Sequence, residues 1–201
     1  MTMEISNRKY GIIYADPPWS YQNAPIESTK FRGCAIQHYQ TMSIAEIKAL
    51  PIEQLAAEDC VLFLWATFPL LNEAMEVIKA WGFEYKTVAF NWVKITEDGE
   101  PAWGCGFWTR SNAEICLLAI KGKPKRVSLD VHQIIMSKRS DHSAKPHEVY
   151  SRIERLMGNL PRIELFARTR REGWDAWGNQ VPNETQLLLN SKNSVFKDYT
   201  P

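Results

Sequence analysis

Apolar runs alternate with polar stretches along most of the chain. Residues 10–15, Tyr-Gly-Ile-Ile-Tyr-Ala, are unbroken by charge and predict a buried strand. Asp16-Pro17-Pro18-Trp19 ends it, because two prolines cannot continue a strand or helix and remove two backbone donors. Residues 20–42 hold few apolar positions and predict a long loop, read beside such a turn as a mobile substrate gate. Ser43 to Glu46 has capping-box spacing and opens a short helix that Pro51 stops or restarts. Residues 60–66 predict a second buried strand. Pro69 suits the first turn of a helix running to about Trp81, with Leu70, Leu71, Ala74, Met75, Ile78 and Trp81 on one face and Gly82 at its end. Residues 85–94 predict a third strand, 112–120 a fourth and 131–136 a short fifth. Pro146 opens a helix to about Met157, closed by Gly158, and residues 162–167 predict a sixth strand. Strands alternating with helices imply an α/β fold of the Rossmann-like class, a mostly parallel sheet with helices on both faces.

Composition adds bounds. The 201 residues are most simply one domain, over 1–181, with 182–201 as a polar tail. No apolar run is long enough for a membrane span or a signal-peptide core. Cys34, Cys60, Cys105 and Cys116 are dispersed, as are the histidines, so no metal site is expected. This suits a reducing cytoplasm. Net charge is +1, unevenly spread: residues 121–171 hold 13 Lys/Arg against 5 Asp/Glu. That basic segment is read as a phosphate-contacting footprint, with Lys123, Lys125, Arg126, Lys138 and Arg139 as candidates. The loop at 95–109 carries Trp103, Phe107 and Trp108. Packing on the domain is the expected reading for these aromatics, over contact with a base or a partner.

The Asp16–Trp19 turn suggests a chemistry. It places a carboxylate, a carbonyl and an aromatic face at the carboxyl end of a strand, where open α/β sheets bind ligands. The exocyclic amino group of a base is a poor nucleophile, and two acceptors on its hydrogens make it a better one. Asp16 supplies one acceptor and the Pro17 carbonyl the other. Pro18 stiffens the turn, and Trp19 stacks on a base flipped out of its helix. Alternatively, the tetrapeptide is only a turn after a core strand, with Trp19 in the core.

The tetrapeptide and its context resemble the DPPW-motif adenine-N6 methyltransferases. That family includes the catalytic subunit of the eukaryotic messenger-RNA adenosine methyltransferase and many bacterial and phage DNA enzymes. His38-Tyr39-Gln40-Thr41-Met42-Ser43, Val61-Leu62-Phe63-Leu64-Trp65, Lys145-Pro146-His147-Glu148, Arg162-Ile163-Glu164-Leu165-Phe166-Ala167-Arg168 and Trp177-Gly178-Asn179-Gln180 resemble family blocks in the family's order, over roughly residues 8–181.

The resemblance implies a Rossmann-like S-adenosylmethionine-dependent fold with the catalytic motif N-terminal to the cofactor strand. It implies S-adenosylmethionine as methyl donor, needing no metal. It places Asp16 and Lys145 at the methionine end, Phe166 within the cofactor strand at 162–167, Arg168 and Arg170 just after it where ribose hydroxyls are expected, and Asn179 and Gln180 at ribose and adenine. Tyr39 falls near the substrate pocket. Two departures stand out: only Met1 to Lys9 precede the catalytic strand, which leaves the grip on the cofactor adenine open, and Thr169-Arg170-Arg171 is more basic than the messenger-RNA enzyme's pattern. DNA is the expected substrate over RNA, because the chain is compact. The expected setting is the cytoplasm of a bacterium or phage-infected host, with no membrane partner and a homodimer or heterodimer as options. Cytosine-N4 transfer and a catalytically silent nucleic-acid-binding subunit are the alternatives.

Overall fold

The computed structural model describes residues 8–20, 41–104, 106, 108–138 and 144–181. Seven strands form a single sheet: β1 (Tyr10–Ala15), β2 (Ala56–Ala66), β3 (Glu84–Ile95), β4 (Ala113–Lys121), β5 (Ile134–Lys138), β6 (Arg162–Leu165) and β7 (Asp175–Trp177). Their order is β5-β3-β4-β2-β1-β6-β7. The sheet is mostly parallel, as the alternation implied. β4 is the exception, antiparallel to both β2 and β3. Parallel neighbours need a long crossover, usually helical. Between β3 and β4 the chain offers only the loop 96–112, so it returns antiparallel.

Helices cover both faces. Helices α1 (Ile44–Ala49) and α2 (Leu71–Ala80) pack Ile47, Ala74, Val77 and Ile78 against Ile13, Ala15, Leu62 and Leu64. Helix α3 (Glu148–Met157) packs Val149, Ile153 and Met157 against Ile12, Tyr14, Val61, Phe63 and Trp65. Odd and even positions of β1 and β2 therefore serve opposite cores, which is why both strands read as unbroken apolar runs. α1 has the expected capping box, with Ser43 and Glu46 bonding each other's backbone N–H groups. Gly82 and Gly158 end α2 and α3 with positive φ, 80° and 75°.

Boundaries differ from expectation where local geometry decides. β2 begins four residues earlier, at Ala56, and β5 lies at 134–138 rather than 131–136. α3 starts at Glu148, so Lys145 stands in the approach to the helix, not in it. β6 stops at Leu165 because Phe166 turns into the left-handed region, φ 61°. β7 was not expected. The gate read at 20–42 falls, but for its ends, outside the described residues; so do Tyr39, Phe107, Arg139 and the tail. Among the described residues no helix is long and apolar enough to cross a membrane.

Candidate active site

Register places one rim of the sheet. Ala15 aligns with Leu64 of β2 and Leu165 of β6, Ala66 with Ile115, Ile95 with Lys138, and Leu165 with Trp177. The carboxyl ends of the parallel strands thus share a rim with the start of β4. Asp16 follows the central strand β1 there, and it is the centre of a charge network. The Lys145 ammonium donates to both Asp16 oxygens at 2.7 Å. It also lies 3.3 Å from Glu114 Oε2, and Glu114 in turn pairs with Lys94. Two carboxylates and two ammonium groups alternate, so the network is neutral.

The network is largely buried: Lys145 and Asp16 side chains are 11% and 24% exposed. Burial works against the Lys145 ammonium, but Asp16 and Glu114 outweigh it and hold its pKa above the usual lysine range. Burial also disfavours the Glu114 carboxylate, yet Lys145 and Lys94 pull its pKa below the ordinary value. The Lys145 and Lys94 ammonium groups lie over the Trp65 and Trp92 rings, 5.4 and 5.0 Å from their centres. Cation–π contacts of this kind partly replace lost hydration.

The turn itself corrects two expectations. The Pro17 carbonyl is not free: it accepts the Trp19 N–H at 2.9 Å, which leaves one lone pair. The Pro18 carbonyl accepts the Met42 N–H at 2.8 Å. Trp19 is no open stacking face. It is 8% exposed, sits in the core with Met42 and Leu64, and its indole N–H donates to the Trp65 carbonyl at 3.0 Å. Trp19 thus clamps the turn between β1 and β2.

The end of β6 brings the other candidates to the same rim. The Phe166 ring meets Trp177 edge-on at 5.4 Å. The Ala167 N–H donates to the Trp177 carbonyl at 2.9 Å, carrying β7 past the end of β6. A Cβ on Gly178 would lie 2.1 Å from the Ala167 oxygen, so only glycine permits this crossing. Exposed Asn179 and Gln180 follow directly on the glycine that crosses Ala167; Arg168 is half-buried and Arg170 exposed. Left-handed Phe166 is strained backbone on the rim that holds Asp16, the kind of outlier that clusters at ligand sites.

A model of the MT-A70 family matches residues 10–180. The chain belongs to the MT-A70 family. It is 35% identical to the type II methyltransferase M.MunI of Mycoplasma sp over 195 residues, 90% of this chain and 81% of that one. It is 30% identical to the N(6)-adenosine-methyltransferase MT-A70-like protein of Arabidopsis thaliana over 202 residues, 96% of this chain but 26% of that one. It is 32% identical to the N(6)-adenosine-methyltransferase catalytic subunit METTL3 of Homo sapiens over 184 residues, 86% and 28% respectively. The chain therefore spans most of M.MunI and under a third of these eukaryotic relatives.

The MT-A70 domain also rearranges the basic candidates. Lys123, Lys125 and Arg126 are not near Asp16. They follow β4, whose end Lys121 aligns with Cys60, at the opposite rim. Six strand residues separate Cys60 from Ala66, about 20 Å. There the Lys123 N–H donates to Asp59 Oδ1 at 2.7 Å. The antiparallel course of β4 caused this inversion. Lys138 does reach the Asp16 rim, but it is paired with Glu97. Much of the basic segment is likewise paired: Arg152 with Glu148, Arg155 with Asp130, Arg162 with Glu154. Glu114 escaped the sequence reading, since its partners lie on β3 and before α3.

Proposed function

We propose that this protein is an S-adenosylmethionine-dependent methyltransferase acting on adenine N6 in nucleic acid, DNA in preference to RNA. The observation that carries this reading is the Asp16 carboxylate, held by Lys145 on the carboxyl-end rim of an MT-A70 domain. The N(6)-adenosine-methyltransferase relatives support adenine N6. The match to a type II methyltransferase, higher in identity and covering most of that protein, supports DNA.

S-adenosylmethionine, when bound, supplies an electrophilic methyl on a sulfonium, and transfer exchanges one N6–H for N6–CH3 with loss of a proton. The residues present suit that donor. The Asp16–Lys145 pair complements a zwitterionic amino-acid end, and the close crossing at Gly178 presents Asn179 and Gln180 for ribose and adenine. Asp16 accepts one hydrogen of the target amino group, having lone pairs beyond those used by Lys145. The remaining lone pair of the Pro17 carbonyl accepts the other. Lys145, with its three donors aimed at Asp16 and Glu114, orders Asp16 first; it takes up a methionine carboxylate by exchange. Holding the reactants in line is worth up to about 7–11 kcal/mol.

The test is transfer of labelled methyl from S-adenosylmethionine to duplex DNA, single-stranded DNA and RNA, each digested to nucleosides. Label is expected in N6-methyldeoxyadenosine. Asp16→Asn should lower turnover about 100-fold or more, and because it leaves the buried Lys145 charge one partner short it should also cost stability, about 3–5 kcal/mol. Label in cytosine or only in RNA would redirect the substrate assignment. Full activity in Asp16→Asn would sink the mechanism.

A further inference from the structure

The loop 96–112 joins β3 to β4 on the Asp16 rim. Its base is stitched to the sheet: the Ala102 N–H donates to the Lys94 carbonyl and the Lys94 N–H to the Asn112 carbonyl, both at 2.8 Å. Lys94 and Glu114, at either foot of the loop, belong to the charge network around Lys145. Beyond the base the two arms touch. A Cβ on Gly104 would lie 1.6 Å from the Ser111 oxygen, and one on Gly106 would lie 1.9 Å from the Thr109 oxygen. Glycine alone lets backbone approach backbone so closely. The arms therefore close into a built finger rather than a slack loop.

The finger leaves Trp103 and Trp108 exposed, against the expectation that they pack on the domain. Trp108 is 100% exposed and Trp103 is 75% exposed, with the Arg110 guanidinium 5.4 Å from the centre of the Trp103 ring. Leaving an indole in water forgoes a large apolar burial. The Trp103 ring beside a guanidinium, with the Trp108 ring in water on the same finger, matches the stacking platforms of nucleic-acid-binding surfaces, and the finger stands on the rim that carries the proposed nucleobase site. A base taken out of its helix also leaves an unstacked neighbour, and apolar wedges commonly fill such steps.

We propose that Trp108 stacks on a nucleobase of the substrate next to the one being methylated, with Trp103 and Arg110 flanking it on the same finger. This rests on the nucleic-acid methyltransferase reading above. The occupant is a nucleobase rather than a partner protein because the finger stands on the rim that holds Asp16 and carries a guanidinium beside its aromatics.

The experiment compares wild type with Trp108→Ala, Trp108→Phe and Trp108→Leu. Methyl transfer is read on whichever of unmethylated plasmid DNA and transcribed RNA the wild type modifies. Trp108→Ala should lower kcat/KM by roughly 5- to 150-fold, mainly through KM. Trp108→Phe should recover most of the loss and Trp108→Leu little. Binding of S-adenosylmethionine by calorimetry and the sedimentation coefficient should stay unchanged. Activity of Trp108→Ala within two-fold of wild type overturns the proposal, as does equal rescue by Leu and Phe. A loss that comes with a changed oligomeric state makes the finger a protein interface and also overturns it. Wild type that binds S-adenosylmethionine yet methylates neither nucleic acid overturns the underlying reading first, and this proposal with it.

Discussion

Glu164 sits in β6 between apolar neighbours, where its side chain meets the Tyr150 hydroxyl at 2.9 Å. Burial pushes its pKa up, to about 7; the nearby Asp16 carboxylate pushes the same way, while Tyr150, Arg171 and Arg168 pull against them. The folded protein therefore keeps a proton that the unfolded chain has released above about pH 4.5. Stability from this group is greatest below that pH and is lost as pH rises through about 7. Each pKa unit is worth about 1.4 kcal/mol, so the loss is at most about 3 kcal/mol. Glu164→Gln should remove it, making the variant relatively more stable at about pH 8 than at about pH 5 in urea unfolding. Parallel pH profiles for the two proteins would refute this. The sequence disclosed single residues only when local pattern carried them. Asp16 stood out by the two prolines that follow it and Lys145 only by the family resemblance of its Lys-Pro block, and their direct contact is a product of the fold. Glu114 did not stand out, because Lys94 and Lys145 meet it only across the sheet. Trp19 was misjudged because nothing local says which way an indole after two prolines will turn.

At the scale of elements, long apolar segments were readable and short ones were not. β1, β2, α1 and α2 follow directly from apolar periodicity and capping chemistry. β7 spans three residues, too few for any period to register, and only its pairing with β6 makes it a strand. Its consequence is the crossing at Gly178. Gly178→Ala must move backbone against backbone, because its Cβ would stand 2.1 Å from the Ala167 oxygen and 2.5 Å from the Ala167 nitrogen. The bond from the Ala167 N–H to the Trp177 carbonyl would lengthen, and Asn179 and Gln180 would swing with the turn. A stability loss of about 1–3 kcal/mol is expected, as for other overpacked sites. Calorimetry with S-adenosylmethionine should show at least about a ten-fold weaker affinity, roughly the loss of one well-placed hydrogen bond. Unchanged affinity would mean that Asn179 and Gln180 lie outside the cofactor site.

For the molecule as a whole, the sheet separates two rims that the linear sequence runs together. Summed along the chain, residues 121–171 look like one basic surface. In the fold, β4 runs against its neighbours, so the turn after it points away from Asp16, and carboxylates from outside the segment pair with Lys121, Lys138 and Lys145. Linear charge density is blind to both effects, since the first depends on strand direction and the second on which distant residues the fold brings together. The two rims lie about 20 Å apart, so a nucleotide at Asp16 does not bring its own phosphate to Lys123, Lys125 or Arg126. Replacing all three with Ala should leave methyl transfer within two-fold of wild type. It should also leave the slope of log kcat/KM against log salt unchanged. Each phosphate contact contributes about 0.9 to such a slope on duplex DNA. A slope reduced by about 2–3 would instead show a bound helix long enough to wrap from one rim to the other. In that case affinity would be built at the far rim while Asp16 acts on the target base and the Trp108 finger on its neighbour.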